Sequence, residues 1–297
     1  PAKTQPEGQP KPEREDAAPS SAGAVHLGET IPGDAALFSA YRVNPVEAWA
    51  TVQEVLQALN PPAAAAFAGQ ADLMAQKAGK GNISELLQEF GERIVSYTRY
   101  SKPYMKADSQ QTVAFIEIRS RKSAESVLET LRTSYPEVFL PGQPATAFGV
   151  EIYQVAWPGV PKHGAYCLTD RYVAIASDVN ALREYFSKAT VRGEWLSRQQ
   201  DFASALRKMP PADTATAISY SNPAPALTWL VACIKAGQVN GVPVQVLPFL
   251  APTIEGIKKV NNFHVIAALL PVQAAGVTSD QDGITFVSWH ALRGSAR

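Results

Sequence analysis

Residues 210–230 read PPADTATAISYSNPAPALTWL, and residues 31–45 read IPGDAALFSAYRVNP. Each stretch has the same parts in the same order. A Pro-x-Asp turn opens it, at Pro32-Gly33-Asp34 and at Pro211-Ala212-Asp213. A short apolar and aromatic run follows, as expected of a strand. An Asn-Pro pair closes the run, Asn44-Pro45 in one copy and Asn222-Pro223 in the other. Asparagine is a good N-cap because its side-chain oxygen accepts from the free amides of a first helical turn. Proline suits the next position, where no N–H is needed. A tryptophan lies in each following helix, Trp49 and Trp229. The Asp-to-Asn separation is 10 residues in the first copy and 9 in the second, a difference that one bulge absorbs. The agreement of turn, strand, cap and aromatic predicts internal duplication of a strand–helix–hairpin module.

Working outward, Trp49, Val52, Leu56 and Leu59 recur at helical spacing and predict a helix with one buried face, ended by Pro61 and Pro62. An Ala-rich helix is expected over 63–78, then a GKGN break. A short helix, SELLQEFG, follows, capped by Asn82 or Ser84 and closed by Gly91. Runs 93–100 and 112–119 predict a hairpin across a polar loop, and 123–135 an amphipathic helix burying Val127, Leu128 and Leu131. Strands are expected over 147–156, 164–168 and 172–177, the last two joined by a tight Thr169-Asp170-Arg171 link. Helices are expected over 180–188, capped by Asp178 or Asn180, and over 195–208. The second copy ends in strands over 262–270 and 283–292. The sum is an α+β fold, antiparallel strand pairs with helices packed on a face. Three regions result: a Pro-rich tether over 1–24, a first module with inserted hairpins and helices over 25–209, and a shorter second copy over 210–297 packed against it.

Composition narrows the function classes. The chain has 297 residues, 46% hydrophobic and 18% charged, which excludes a globally disordered protein. Its 27 basic and 27 acidic side chains cancel, so the basic surface of a nucleic-acid binder is not expected. No apolar run reaches the roughly 18 residues that a membrane-spanning helix needs. Residues 1–24 mix proline with charges of both signs and carry no aromatic or large aliphatic residue, the composition of an extended, disordered arm. The sequence starts at Pro1 rather than Met, so an upstream signal, lipid-attachment segment or anchor is compatible with it, and peripheral membrane association would run through that segment.

Reaction centres are hard to find. The four histidines, His26, His163, His264 and His290, are scattered and lack metal-ligand spacing. His264 and His290 both fall in the last predicted hairpin, where a shared metal is weighed against ordinary strand positions. Cys167 sits in an apolar strand and Cys233 on an apolar helix, settings in which a thiol is inert. No Gly-x-Ser-x-Gly elbow or dinucleotide fingerprint is present, and Gly79-Lys80-Gly81 lacks the frame of a phosphate loop. Asp280 and Asp282 begin like a calcium loop but have no downstream bidentate Glu, so a turn is expected. No catalytic, cofactor-binding or metal-ligating residue is assigned. The most unusual stretch follows the second Asn-Pro helix, GVPVQVLPFLAP over 241–252. With Trp229 it offers Val242, Val244, Val246, Leu247, Phe249 and Leu250 as a contact surface, against the alternative that these side chains pack on the sheet.

Several of these stretches also carry a resemblance. They are the Pro-x-Asp openings at Pro32 and Pro211, SELLQEFGER, VEIYQVAW, YVAIASDVNALREYF, WLSRQQDFASALRKMPP and the closing DGITF. In them the chain resembles a family of uncharacterised bacterial extracytoplasmic proteins built around a domain of unknown function. The resemblance covers most of 31–292 and implies a periplasmic or cell-envelope location. It implies no catalytic residues. The function expected is a non-catalytic extracytoplasmic binding or assembly protein with a protein partner. The alternatives are a carrier of a lipid or other apolar ligand and, more weakly, a hydrolase with dispersed carboxylates.

Overall fold

The segments that the sequence sets in parallel lie side by side in the middle of one sheet. The computed structural model describes residues 30–104, 109–156, 163–190, 195–212, 214–239, 242–243, 255–256, 259–260, 263–280 and 283–291. Ten strands pair antiparallel in the order β12-β11-β8-β1-β2-β3-β7-β6-β5-β4. They are β1 (Ala35–Arg42), β2 (Phe90–Tyr100), β3 (Gln110–Ile118), β4 (Ala145–Ala147), β5 (Val150–Ala156), β6 (His163–Leu168), β7 (Tyr172–Ala176), β8 (Ala217–Ser221), β11 (Val272–Asp280) and β12 (Gly283–Ala291). A separate ribbon pairs β9 (Gln238–Val239) with β10 (Val242–Pro243). Eight α-helices occur among the described residues: α1 (Pro45–Leu59), α2 (Pro61–Lys77), α3 (Ile83–Leu87), α4 (Arg121–Ser134), α5 (Val179–Thr190), α6 (Gln200–Leu206), α7 (Pro223–Lys235) and α8 (Phe263–Ala268). The fold is α+β.

Strands β1 and β8 are direct neighbours, with Phe38 opposite Tyr220 and Ala40 opposite Ile218. On one side the sheet continues through the β2–β3 hairpin, on the other through the β11–β12 hairpin. Each central strand feeds a helix capped by asparagine with proline in its first turn, Asn44 before α1 and Asn222 before α7. The turn marker Asp213 lies outside the described residues.

Helices cover both faces of the sheet rather than one. Alternation along each strand sends neighbouring side chains to opposite faces, and β6, with four consecutive buried residues, needs cover on both. On one face lies the main core: Phe38, Val95, Tyr97, Val113, Phe115, Cys167 and Ile218 meet Leu182 of α5, Leu196 of the 3₁₀ turn before α6, and Phe202 of α6. Phe202 stands edge-on to both Phe38 and Tyr220, at 5.4 and 5.0 Å between ring centroids. The other face carries α4 at one end, where Leu128 joins Ile118, Val155, Tyr166 and Val173. It also carries α7, whose Trp229 packs on Tyr100 at 5.2 Å. A third, smaller core joins α2, α3 and α4 through Ala75, Ala78, Ile83, Leu86 and Val127.

Several expectations are corrected. The strand predicted over 147–156 turns back on itself at Phe148 and Gly149, both with positive φ, giving β4 and β5. Gly91 does not close a helix; it lies in β2, where an added Cβ would sit 2.4 Å from the Glu117 carboxylate. The helix expected over 195–208 is a 3₁₀ turn (Leu196–Arg198) followed by α6. The strand expected over 262–270 is α8, and the partner of β12 is β11, over Val272–Asp280. A short apolar run fits either state by periodicity alone, which is why that segment misled. His264 and His290 therefore do not face each other across a hairpin; His290 pairs with Gln273.

Packing against β11 is close enough to be tested. A Cβ added at Gly276 would lie 2.5 Å from Cδ of Pro210, whose ring cannot swing away. Gly276→Ala should therefore lower unfolding free energy by about 1–3 kcal/mol in urea titrations. Gly69→Ala, in α2 with open space around it, should raise it by about 0.5–1 kcal/mol. Equal effects of the same sign would contradict this packing.

Candidate functional site

Two features outside the main core have the make-up of a site. The first is polar. Arg99 on β2 is a buried arginine, its side chain 3% exposed. Its Nε donates to Oε1 of Gln111 at 2.8 Å, and its guanidinium forms ion pairs with Asp34, at 3.4 Å, and with Glu184 of α5. Gln111 in turn donates to Glu184 at 3.2 Å. Burying a guanidinium is costly unless its charge is answered, and here the carboxylates of Asp34 and Glu184 answer it while Gln111 accepts from Nε. The cluster fastens α5 to the sheet. Beside it is a polar recess of about 310 Å³ lined by Ser101, Lys102, Ser109, Gln111, Arg183 and Glu184, among others. The Glu184 carboxylate and the buried Gln111 amide on its wall are engaged with Arg99 and with each other. The nearby Tyr97 hydroxyl is buried without a hydrogen-bond partner, and burial raises its pKa well above the usual phenol value.

The second feature is apolar and lies on the α1–α2 helical hairpin. Asn44 Oδ1 accepts from the amides of Val46 at 3.0 Å and Glu47 at 3.4 Å, starting α1. Asn60 makes the corner: its N–H donates to the Leu56 carbonyl at 2.8 Å, and its side-chain oxygen accepts from Ala63 at 3.2 Å. Pro61 and Pro62 thus both end one helix and start the next, since a helix's first turn needs no N–H from them. Trp49 and Phe67 hold the two helices together, ring centroids 5.3 Å apart. Between them runs an open groove of about 670 Å³ lined by Val52, Leu56, Ala63, Ala66, Phe67 and Gln70. Gln70 is its single polar wall residue.

The expected buried face of α1 is not found. No residue of α1 is buried, and Val52, Val55, Leu59, Phe67 and Leu73 are 45% to 78% exposed. The reason is positional: the hairpin touches the rest of the molecule through its base, where Ala75 packs on α3 and Ile83 donates its N–H to Asp72 at 2.9 Å. Lys80 pairs with Glu89 just beyond. The Lys80 hydrogen bond, against an opposing effect of burial, holds the Glu89 carboxyl below the usual carboxylate range.

Of the contact surface anticipated in the second module, Trp229 is the one residue whose side chain is described. Trp229 is buried against Tyr100, so it is withdrawn from any contact surface. Val242 belongs to β10, while Val244, Val246, Leu247, Phe249 and Leu250 lie outside the described residues. Cys167 and Cys233 are both free and buried, and burial pushes the Cys167 thiol up to about 12, so it is not a thiolate at neutral pH. Asp280 Oδ1 accepts from Gly283 at 3.1 Å, consistent with a turn; Asp282 is outside the described residues. Among the described residues no group of three or more His, Cys, Asp or Glu could hold a metal ion. Reading the sequence missed the Arg99 cluster because its members are scattered along the chain. It misjudged the α1–α2 groove because exposed and buried apolar faces have the same periodicity. A signal was available in the low charge of 45–77, which holds only Glu47, Glu54, Asp72 and Lys77.

No family model matches this chain, and no curated protein matches it. Solved structures of TP0453 do. Its crystal form III aligns over 91% of this chain and 80% of its own, at TM-score 0.44 and 9% identity. Crystal form I aligns over 91% and 79%, at TM-score 0.40 and 10% identity, and form IV over 88% and 78%, at TM-score 0.39 and 8% identity. Likeness at this level carries no role across to this chain.

The Lys80–Glu89 pair at the base of the hairpin makes a pH prediction. A folded-state pKa below the unfolded value contributes stability that is complete above the ordinary Glu range of about 4.3 and is lost as pH falls through the folded value. Wild type should therefore exceed Lys80→Met in urea midpoint at neutral pH, and the gap should close as pH falls below the ordinary Glu range. A gap that persists undiminished in acid would show that the pair's charge is not what holds this corner.

Proposed function

We propose that this chain is a non-catalytic binding protein that engages an apolar partner segment through the α1–α2 hairpin. The observation that carries the proposal is the exposure of Val52 and Phe67 in the walls of one groove between two neighbouring helices, with Val55, Leu59 and Leu73 also exposed on those helices. Monomeric proteins rarely leave a contiguous apolar patch of this kind to water, because each such side chain forgoes about 1.5–3 kcal/mol of burial. The patch is also nearly free of charge, so its partner is recognised by shape and apolar area rather than by salt links. An apolar helix or strand of another protein fits best, laid along the groove with side chains at regular spacing.

A second reading has its own observation. Five of the groove's six lining residues are apolar, which supports an aliphatic ligand such as a lipid tail. The hydrolase reading gains nothing from the Arg99 cluster, whose polar groups are spent on one another. Placement outside the cytoplasm belongs to the same proposal; the Pro-rich arm and the family resemblance support it. No helix among the described residues is long and apolar enough to cross a membrane.

A benzophenone amino acid at position 55 in the native host tests the reading, with position 125 on α4 as control. The expected result is a discrete protein adduct from position 55 that disappears in Val52→Asn/Leu59→Asn. That double variant should fold with its stability altered by less than about 1 kcal/mol, since both side chains are exposed. An adduct of lipid mass would select the carrier reading. Absence of any adduct specific to position 55 would remove both.

A further inference from the structure

Among the described residues β12 is an edge strand, and an unusual one. Natural sheets blunt such edges with lysines, prolines, bulges or very short strands, because unpaired N–H and C=O groups recruit another chain. At the opposite end of this sheet β4 does so, being three residues long. Strand β12 uses none of these devices. It runs nine residues, GITFVSWHA, with no lysine, arginine, carboxylate or proline, and its register against β11 is continuous from Gly283 to Ala291. Among the described strands it pairs with β11 alone.

Both faces of this edge carry apolar side chains. Val287 and Trp289 reach the main core only in part, so the core is open at this end. On the other face Ile284 and Phe286 are 77% and 67% exposed. We infer that β12 pairs antiparallel with β12 of a second copy, joining two ten-stranded sheets across a twofold axis.

Three observations select a second copy over an unrelated strand. An isologous antiparallel contact satisfies both open edges at once, and each copy's Val287 and Trp289 cap the other's core. The assembly then stops, because the edges that remain are the three-residue β4 strands. Finally, neither the strand nor the chain, with zero formal net charge, sets up repulsion between copies. Full overlap of the nine residues puts Val287 on the axis and Phe286 opposite Ser288 of the other copy. One strand pair buries less than the roughly 1,200 Å² of a standard interface, so the dimer is a weak, concentration-dependent one.

Sedimentation velocity over a range of about 1–200 µM brackets the affinity of a contact of this size. Wild type should pass from monomer to dimer, and Phe286→Lys, which places like charges beside the axis, should raise the dissociation constant at least about tenfold. Val55→Asn, on the exposed surface of α1, should leave it unchanged. As a readout that spares Phe286 in one partner, a Ser288→Cys protein mixed with Phe286→Cys should give a mixed disulfide under mild oxidation. A monomer throughout the range, or a dimer indifferent to Phe286→Lys, overturns the inference. So does a dimer lost in Val55→Asn, which would place self-association on the helical hairpin.

Discussion

The structure depends on the pairing of β1 with β8. Phe38 and Tyr220 are opposed across that seam, and Phe202 of α6 closes edge-on against both, so one aromatic triad ties strands about 180 residues apart in sequence to the helix that covers them. Edge-to-face contacts of this kind add about 0.5–1.5 kcal/mol each beyond the area they bury. More importantly, the seam sets register for everything outside it. A shift of one residue would turn Phe38 and Ile218 to the opposite face and expose the main core on both sides. The backbone reinforces the seam at its ends, where Arg42 donates its N–H to the Thr216 carbonyl at 2.8 Å and Asn222 to that of Ala36 at 2.6 Å.

From that seam the two arms of the sheet diverge in how fully they are covered. Toward β7 and β6 both faces carry helices, and the Arg99 cluster and the Arg132 side chain, 3.8 Å from the Tyr153 ring and bonded to Tyr166 at 2.5 Å, secure them. Toward β12 cover thins, and the edge strand shows apolar side chains on both faces. The α1–α2 hairpin is held at its base and otherwise stands away from the core. Among the described residues the Arg99 cluster is sealed, while the apolar side chains of α1, α2 and β12 stay open. The Cys167 thiol, with its raised pKa, belongs to the sealed part.

Local chemistry made much of this legible. Asn44, Asn82 and Asn222 cap helices as their positions predict, because capping involves only residues one turn apart. Asp178 likewise caps α5, accepting from Ala181 at 2.9 Å. The two hairpins β2–β3 and β6–β7 were readable from alternating apolar runs flanked by turn residues. What escaped depends on tertiary context. The apolar stripe of α1 says that the helix has an apolar face, and nothing in its spacing says whether the sheet or the solvent meets it. The segment over 263–268 is too short for periodicity to separate helix from strand, and α8 was misread accordingly. The Arg99, Gln111 and Glu184 contacts could not be anticipated, since no local rule brings positions so far apart together.

The claim that the β1–β8 seam is the structure's foundation and the α1–α2 hairpin an appendage to it is tested most directly by native-state hydrogen exchange followed residue by residue. Amides of Phe38, Ala40, Ile218 and Tyr220 should exchange only through global unfolding, with opening free energies equal to that measured by urea. Amides of α1 should open well below that value, by local detachment. If α1 is protected as strongly as the seam, or if β1 and β8 separate in a sub-global opening while the β5–β7 end stays closed, the account is wrong.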